Sequence, residues 1–230
     1  VWSIVAMKRR YDGRGVGIDV SHYQKKIRWS EVNADFVWMR SSIGGGSEDN
    51  LIDENWAGAK AAGVPRGAYH LGQQVWRGKI TDPRREARNL ARLIGDDPGE
   101  LPPALDMEAS LTRPLHDRVG VAGVADWVEA FIEEADQLLG VRCIMYVSWH
   151  VAALMEKRAS IASRPHWYAY HVDDWGEPPQ MAAGWGGGWC ARQVSDKGIV
   201  EGIEGNVDLN ILPGSLDDLL ALGPRRRPCG

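Results

Sequence analysis

Short runs rich in β-branched and aromatic residues alternate with helical patterns along most of this chain of 230 residues. Such alternation is typical of a parallel sheet built from βα units, in which helices cover the strands. The eight predicted strands lie at 15–21, 35–40, 66–71, 103–108, 142–147, 166–171, 189–194 and 205–209. Little helical pattern separates the last three. The chain is therefore predicted to form about five βα units followed by three strands, an α/β barrel that loses its outer helices near the end.

The predicted helices carry start and stop signals. Asp82 can cap a helix that has Pro83 at its first position. The longest apolar stripe starts at 124 and ends before Gly140, and a shorter helix stops at Gly63. Neither an internal repeat nor an interdomain linker is evident, so one domain is expected. The predicted parts are an N-terminal extension (1–14), the catalytic barrel (15–215) and a C-terminal tail (216–230).

Charge and cysteine usage exclude several functions. The net charge is −4, and runs of three basic residues occur only at 8–10 and 225–227, which argues against a nucleic-acid surface. Apolar runs are too short to span a membrane. Cys143, Cys190 and Cys229 are odd in number and widely spaced, so we expect neither a disulfide framework nor a metal site. Cys143 and Cys190 lie in apolar runs and are predicted to be buried thiols.

Four acidic residues are predicted at the C-terminal ends of strands, where parallel barrels gather their functional groups. They are Asp19, Asp106, Glu108 and Asp208. Asp106 and Glu108 are two residues apart on one strand, so their side chains point to the same face with Cα atoms about 6.6 Å apart. Two carboxylates in a partly closed mouth push each other's pKa values apart, and one can then serve as a general acid while the other stays charged. Glycosidic bond cleavage requires that division of roles.

Aromatic and amide side chains are predicted around these acids. The chain has 11 Trp but only 2 Phe, and an indole is a flat apolar platform that suits a sugar ring. Tyr69, Tyr146 and Trp167 are predicted on strands three, five and six. Gln193 on strand seven could hydrogen-bond a sugar amide, and His171 ends strand six. We therefore expect these five residues to bind a glycan in a polar, aromatic mouth.

Other functions are compatible with the same acids. A divalent metal ion could be held by hard carboxylate oxygens, with His22, His70 or His171 near strand ends completing the set. Such an enzyme would lose activity on chelation, and a hydrolase that uses only carboxylates would not. A barrel that binds glycans without cleaving them is a third possibility, for which loss of one acid would be the expected mark. All four acids are present.

Several sequence blocks resemble glycoside hydrolase family 25, the Chalaropsis-type lysozymes. They include GIDVSHYQ at 17–24, PALDME at 103–108 and GIEGNVDLN at 202–210. Further similar blocks lie at 27–29, 55–63, 67–70 and 144–146, in the order found in the family. The run RSSIGGG at 40–46 departs from the family's Lys-Ala-Thr-Glu-Gly-like run. The segment HLGQQ at 70–74 departs from the family's common His-Phe or His-Tyr start. Both departures lie near the expected groove, so they bear on subsite preference.

The resemblance implies an irregular TIM-like (β/α)5β3 barrel that cleaves the β-1,4 bond between N-acetylmuramic acid and N-acetylglucosamine in peptidoglycan. It implies that Glu108 is the general acid, that Asp106 assists it, and that Asp19 and Asp208 line the same pit. A carboxylate could attack the sugar directly, or the substrate's acetamide could attack with Asp106 orienting it. We favour the second route, which retains configuration. A hydrolase of chitin-like glycans would use the same acids with a different groove.

The resemblance also bears on partners and location. Bacterial cell-wall peptidoglycan is the expected partner, and we expect a monomer that needs no cofactor. The opening segment 1–6 is too short for the apolar core of a signal peptide. We expect the protein to reach the wall by secretion or by release from a host cell during phage lysis.

Overall fold

A computed structural model describes residues 2–11, 14–171 and 188–224. Within them, eight strands close into a barrel, as predicted. The first seven strands are parallel to their neighbours, and the eighth is antiparallel to both the seventh and the first. The barrel strands are Val16–Val20, Val37–Ile43, Arg66–Leu71, Ala104–Asp106, Ile144–Val147, His166–Ala169, Trp189–Ile199 and Val207–Ile211.

In the described ranges, an α-helix or a 3₁₀ turn follows each of the first five barrel strands, and an α-helix follows the eighth. The helices are Ile4–Arg10, Ile52–Ala62, Pro83–Ile94, Ala109–Leu139, Trp149–Ala152, Ala159–Ala162 and Leu216–Leu220, with 3₁₀ turns at His22–Gln24 and Trp29–Glu31. Short strands lie at Trp2–Ser3, Ser47–Glu48, Val75–Trp76 and Lys79–Ile80. None of the helices in the described ranges is long and apolar enough to cross a bilayer.

The predicted helix signals are confirmed. Asp82 accepts a hydrogen bond from the backbone N–H of Arg84 with Pro83 in the first turn, and Gly63 and Gly140 end their helices in the left-handed conformation. The longest helix begins earlier than its apolar stripe indicates, at 109 instead of 124. Its first part is a separate helical segment that meets the second at Gly120, where φ is 67° and the helix kinks. The first segment starts at Ala109, three residues after the fourth barrel strand ends at Asp106.

The two ends of the chain add elements beyond the barrel. Trp2–Ser3 pairs with the seventh barrel strand, and Ile4 and Met7 of the following helix are buried. The helix Leu216–Leu220 buries Leu219. Residues 225–230 of the expected tail, which include Cys229 and a basic run, lie outside the described residues. Cys143 and Cys190 are buried free thiols as predicted, and burial raises the pKa of each to about 12.

Two apolar layers hold the barrel. One lies between strands and helices and contains residues such as Leu105, Met107 and Phe131. The other fills the barrel interior, where Trp38 stacks on Trp167 with ring centroids 4.6 Å apart. Because the interior is closed by these large rings, a ligand can enter only above them, at the end where the parallel strands terminate.

Candidate active site

The four predicted acids meet at this mouth, although not all by the predicted route. Asp106 is the last residue of the fourth strand, and Glu108 lies just beyond it as the cap of the long helix, with extended φ and ψ of −103° and 142°. Asp208 was predicted at the C-terminal end of a strand, which is wrong. It lies near the start of the eighth strand, and because that strand is antiparallel, its start reaches the same end of the barrel.

Asp19, which is buried, and Asp208, which is half-buried, form a carboxyl pair. They are direct partners in the register of the first and eighth strands. Burial and the neighbouring charge of Asp19 raise the pKa of Asp208 to about 9. Burial also raises the pKa of Asp19, although hydrogen bonds from Asn210 and Gln193 oppose that rise. Two like charges this close in a low-dielectric site are unfavourable, so the two groups oppose each other's ionisation.

Asp106 is the second buried acid, with 7% of its surface exposed. Burial raises its pKa well above the usual value, the charges of Glu108 and Asp19 raise it further, and Arg40 lowers it. Its Oδ1 is buried and accepts no hydrogen bond from the described residues. An unsatisfied buried acceptor is costly unless a ligand supplies the donor. Asp106 is therefore arranged to receive a donor from a molecule bound in the mouth.

Glu108 is the solvent-facing member of the set. Its side chain is exposed and makes no capping bond to the helix that it precedes. Among the residues that the structure describes, its side chain accepts one hydrogen bond, a long one of 3.4 Å from the Ser110 hydroxyl to Oε2. The carboxyl group is thus free to approach a bound ligand. The two acids therefore differ in position: Asp106 lies inside the barrel and Glu108 at its rim.

Gln193 lies at the centre of a hydrogen-bond network below these acids. Its Nε2 donates to Asp19 Oδ2 at 2.9 Å and to Asp208 Oδ2 at 3.3 Å. Its Oε1 accepts from the Tyr146 hydroxyl and contacts His171 Nε2, each at 2.8 Å. The amide predicted to bind a sugar is therefore fully engaged within the protein.

The predicted aromatic residues are brought together, but at different depths. Trp167 is 1% exposed, its indole N–H donates to Asn210 Oδ1 at 2.7 Å, and it forms the floor of the mouth. Tyr146 meets Trp167 edge to face at 4.8 Å, and Tyr69 does so at 5.9 Å. Only Tyr146 of the three is partly exposed. Burial is the main reason that the pKa values of both tyrosines lie well above the usual value.

Two polar residues of the site were missed as site residues. Arg40, two residues after the inward-facing Trp38 on the second strand, is a buried cation held by Asp49 at 2.9 Å. The exposed ring of Tyr23 lies 5.3 Å from its guanidinium. Asn210, two residues after Asp208, donates to Asp19 Oδ2 at 2.8 Å. The period of two along each strand places both on the inward face, a signal present in the sequence.

The three histidines considered as metal ligands lie in separate environments. His22 contacts Asp49 at 2.9 Å, and His171 contacts Gln193. His70 is fully buried, 2.7 Å from the Ser42 hydroxyl and 3.0 Å from Glu86. Across 2–11, 14–171 and 188–224, no group of three or more His, Cys, Asp or Glu side chains is placed to hold a metal ion.

Comparisons with known proteins agree with this geometry. The sequence profile of the glycosyl hydrolases of family 25 matches residues 18–203. The chain is 29% identical to Lysozyme M1 of Streptomyces globisporus over 221 residues, which cover 92% of this chain and 72% of that protein. It superposes on the bacterial lysozyme from Streptomyces coelicolor with a TM-score of 0.74 and 25% identity, covering 91% and 96% of the two chains. A family 25 glycosyl hydrolase from Bacillus anthracis shares the fold at 20% identity and a TM-score of 0.74, with 94% and 95% covered.

Proposed function

The chain belongs to the glycosyl hydrolases of family 25, and we propose that it cleaves peptidoglycan between N-acetylmuramic acid and N-acetylglucosamine. Two of the relatives described above are lysozymes. The observation that carries the proposal is the arrangement of Asp106 and Glu108 at the mouth. One carboxyl is buried with an oxygen that lacks a donor, and the other is exposed on the same rim. That pair can serve the two sides of a glycosidic bond cleavage.

Glu108 is proposed as the general acid. The leaving group is the O4 oxygen of the next sugar, which must receive a proton as its bond to C1 breaks. Among the four acids, Glu108 alone has an exposed side chain, so it can reach that oxygen in a bound glycan. A glycan lying over the mouth would also exclude water from the contact between this carboxyl group and the O4 oxygen. After the leaving sugar departs, the Glu108 carboxylate can accept a proton from the incoming water.

Asp106 is proposed to orient the acetamide of the muramic acid residue. The acetamide N–H would donate to Asp106, which has a buried acceptor without a partner. The acetamide oxygen then attacks C1, the C1–O4 bond breaks, and an oxazolinium ion forms. Water attacks C1 and reopens that ring, so the anomeric configuration is retained. The N–H donor and the positive charge of the intermediate both favour charged Asp106, as does Arg40.

Product analysis tests this proposal. Purified peptidoglycan is digested with the wild type, with Glu108→Gln and with Glu133→Gln, which alters an exposed residue on the same long helix. New reducing ends are reduced with borohydride and identified by mass spectrometry. We expect muramitol ends from the wild type and the Glu133 variant, and at least ~10²-fold fewer from the Glu108 variant. Glucosaminitol ends would move the cleaved bond, and an absence of new ends from the wild type would refute the proposal.

The same proposal covers partner and location. The partner is bacterial cell-wall peptidoglycan, and the barrel would meet it at the wall, after secretion or after release from a lysed host. Every side chain assigned a role belongs to one chain, so we propose that the monomer is the active form. Sedimentation of the active protein tests this, since activity confined to a larger species would contradict it.

A further inference from the structure

We infer that Gln193 is a positioning residue, whose amide holds Asp19 and Asp208 together as a pair that shares one proton and carries one negative charge. The inference rests on the proposed function and deepens it. Gln193 reaches the two carboxylates from the seventh strand, next to the eighth strand that carries Asp208. It touches no reacting atom in this arrangement and would act through the pair.

The orientation of the amide is determined by its four contacts. Nε2 faces two carboxylate oxygens, which need donors, and Oε1 faces the Tyr146 hydroxyl and His171 Nε2. Turning the amide over would aim its oxygen at both carboxylates and leave each without that donor. The raised pKa of Tyr146 keeps its hydroxyl protonated, so this residue remains a donor to Oε1. His171 must then carry a proton on Nε2.

One amide nitrogen between two carboxyl groups favours unequal protonation. The hydrogen bond from Gln193 is shorter to Asp19, at 2.9 Å, than to Asp208, at 3.3 Å, and it opposes the rise that burial causes in the pKa of Asp19. Burial, followed by the charge of Asp19, raises the pKa of Asp208 to about 9. Asp19 is therefore the charged member and Asp208 the neutral one. Asn210 supports the same assignment, because its Nδ2 donates to Asp19 Oδ2 at 2.8 Å.

The charge of this pair matters for the reaction because it acts on Asp106. The charge of Asp19 raises the pKa of Asp106, so a second negative charge on Asp208 would favour the neutral form of Asp106 further. Loss of the charge altogether would remove one negative group that stabilises a positive intermediate above it. A pair held at a single negative charge avoids both outcomes over a wide pH range.

Several other ionisable groups face the pair and contribute to any pH dependence. Asp106 and Asp196 add negative charge near Asp208, and His171 lowers the pKa of Asp19. The phenols of Tyr69 and Tyr146 also respond to the charges of both aspartates. None of these groups donates a hydrogen bond to both carboxylates, which Gln193 alone does among the residues that the structure describes.

The decisive variant is Gln193→Leu, with Gln137→Leu as the matched control on the exposed face of the long helix. Removing the donor should raise the lower of the pair's two titration steps by about one pH unit, since a hydrogen bond to a charged group contributes on that order. We expect the acid limb of the pH profile of kcat/KM to shift to higher pH by that amount. At neutral pH, kcat should fall about 10-fold while KM stays nearly unchanged. The Gln137 variant should match the wild type.

Carbon-13 NMR titration of the aspartate carboxyl groups provides a readout that needs no activity. The lower titration step of the pair should move to higher pH by about one unit in Gln193→Leu. It should move by less in Tyr146→Phe, which keeps the Gln193 amide but frees it to turn over. An unchanged titration in both variants would overturn the inference, as would a rise in KM alone, which would make Gln193 a substrate contact. A shifted titration in a protein that cleaves no peptidoglycan would support the inference while refuting the proposed function.

Discussion

Replacing Asp208 with asparagine should make the folded protein more stable at neutral pH. The pKa of Asp208 is about 9 in the folded state against an ordinary value of 3.8. At neutral pH the folded state therefore holds a proton that the unfolded state releases, and unfolding becomes easier as pH rises. Its contribution to stability is fully present below about pH 4 and is lost as pH rises toward 9. Asparagine is neutral throughout and can still donate to Asp19.

The expected size follows from the pH interval. Between the ordinary value and pH 7 lie about three pH units, each corresponding to about 1.4 kcal/mol, so the upper bound is about 4 kcal/mol at pH 7. Because Asp19 shares the proton, we expect Asp208→Asn to gain about 2 to 4 kcal/mol at pH 7 and almost nothing at pH 4. Such a gain is common where an active site holds destabilising charges.

Urea denaturation followed by tryptophan fluorescence at several pH values between 4 and 8.5 measures this difference. The control is Asp96→Asn, which changes an exposed aspartate after the helix Pro83–Ile94. The free energy of unfolding of the wild type and control should fall relative to that of Asp208→Asn as pH rises. If the curves for Asp208→Asn and the wild type stay parallel over this range, Asp208 is not a neutral acid in the folded protein and the argument for a shared proton fails.

Three further predictions follow from individual groups. If Glu108 is the general acid, Glu108→Gln should lose at least ~10²-fold in kcat on peptidoglycan. It should lose far less on an aryl glycoside with a good leaving group, because that leaving group needs no proton. Equal losses on both substrates would refute the role. If Asp106 orients the acetamide, the wild type should not cleave de-N-acetylated peptidoglycan. The variant Asp106→Asn should lose at least ~10²-fold in activity on the acetylated form. Normal turnover of the de-N-acetylated glycan would count against the substrate-assisted route. Burial lowers the pKa of His166 to about 4 from 6.5, so the wild type should lose about 3 kcal/mol of stability as pH falls from 6.5 to 4. His166→Asn should lose much less in the same denaturation series. If the free energy of unfolding falls equally in both proteins over this range, the burial argument is contradicted.

Much of the fold was predictable because it depends on local patterns. Strand and helix periodicity, the Asp82–Pro83 start and the Gly63 and Gly140 stops are properties of neighbouring residues, and all were confirmed. The early start of the long helix was not predicted, since the segment before Gly120 carries no continuous apolar stripe. Its helical form depends on packing beside the barrel mouth, where Thr112 and Leu115 become buried.

The candidate acids were also visible in the sequence, because each lies within a predicted strand and within a block that resembles one family. Their chemical states were not visible. Gln193 bonds to Asp19 across 174 residues of chain, and Asn210 does so across 191. These contacts exist only because the eighth strand is antiparallel and closes the barrel against the first. Residue types and their spacing determined which groups reach the mouth. Burial and pairing between the first and eighth strands decided which of these groups hold protons, because desolvation and hydrogen bonding depend on neighbours in space.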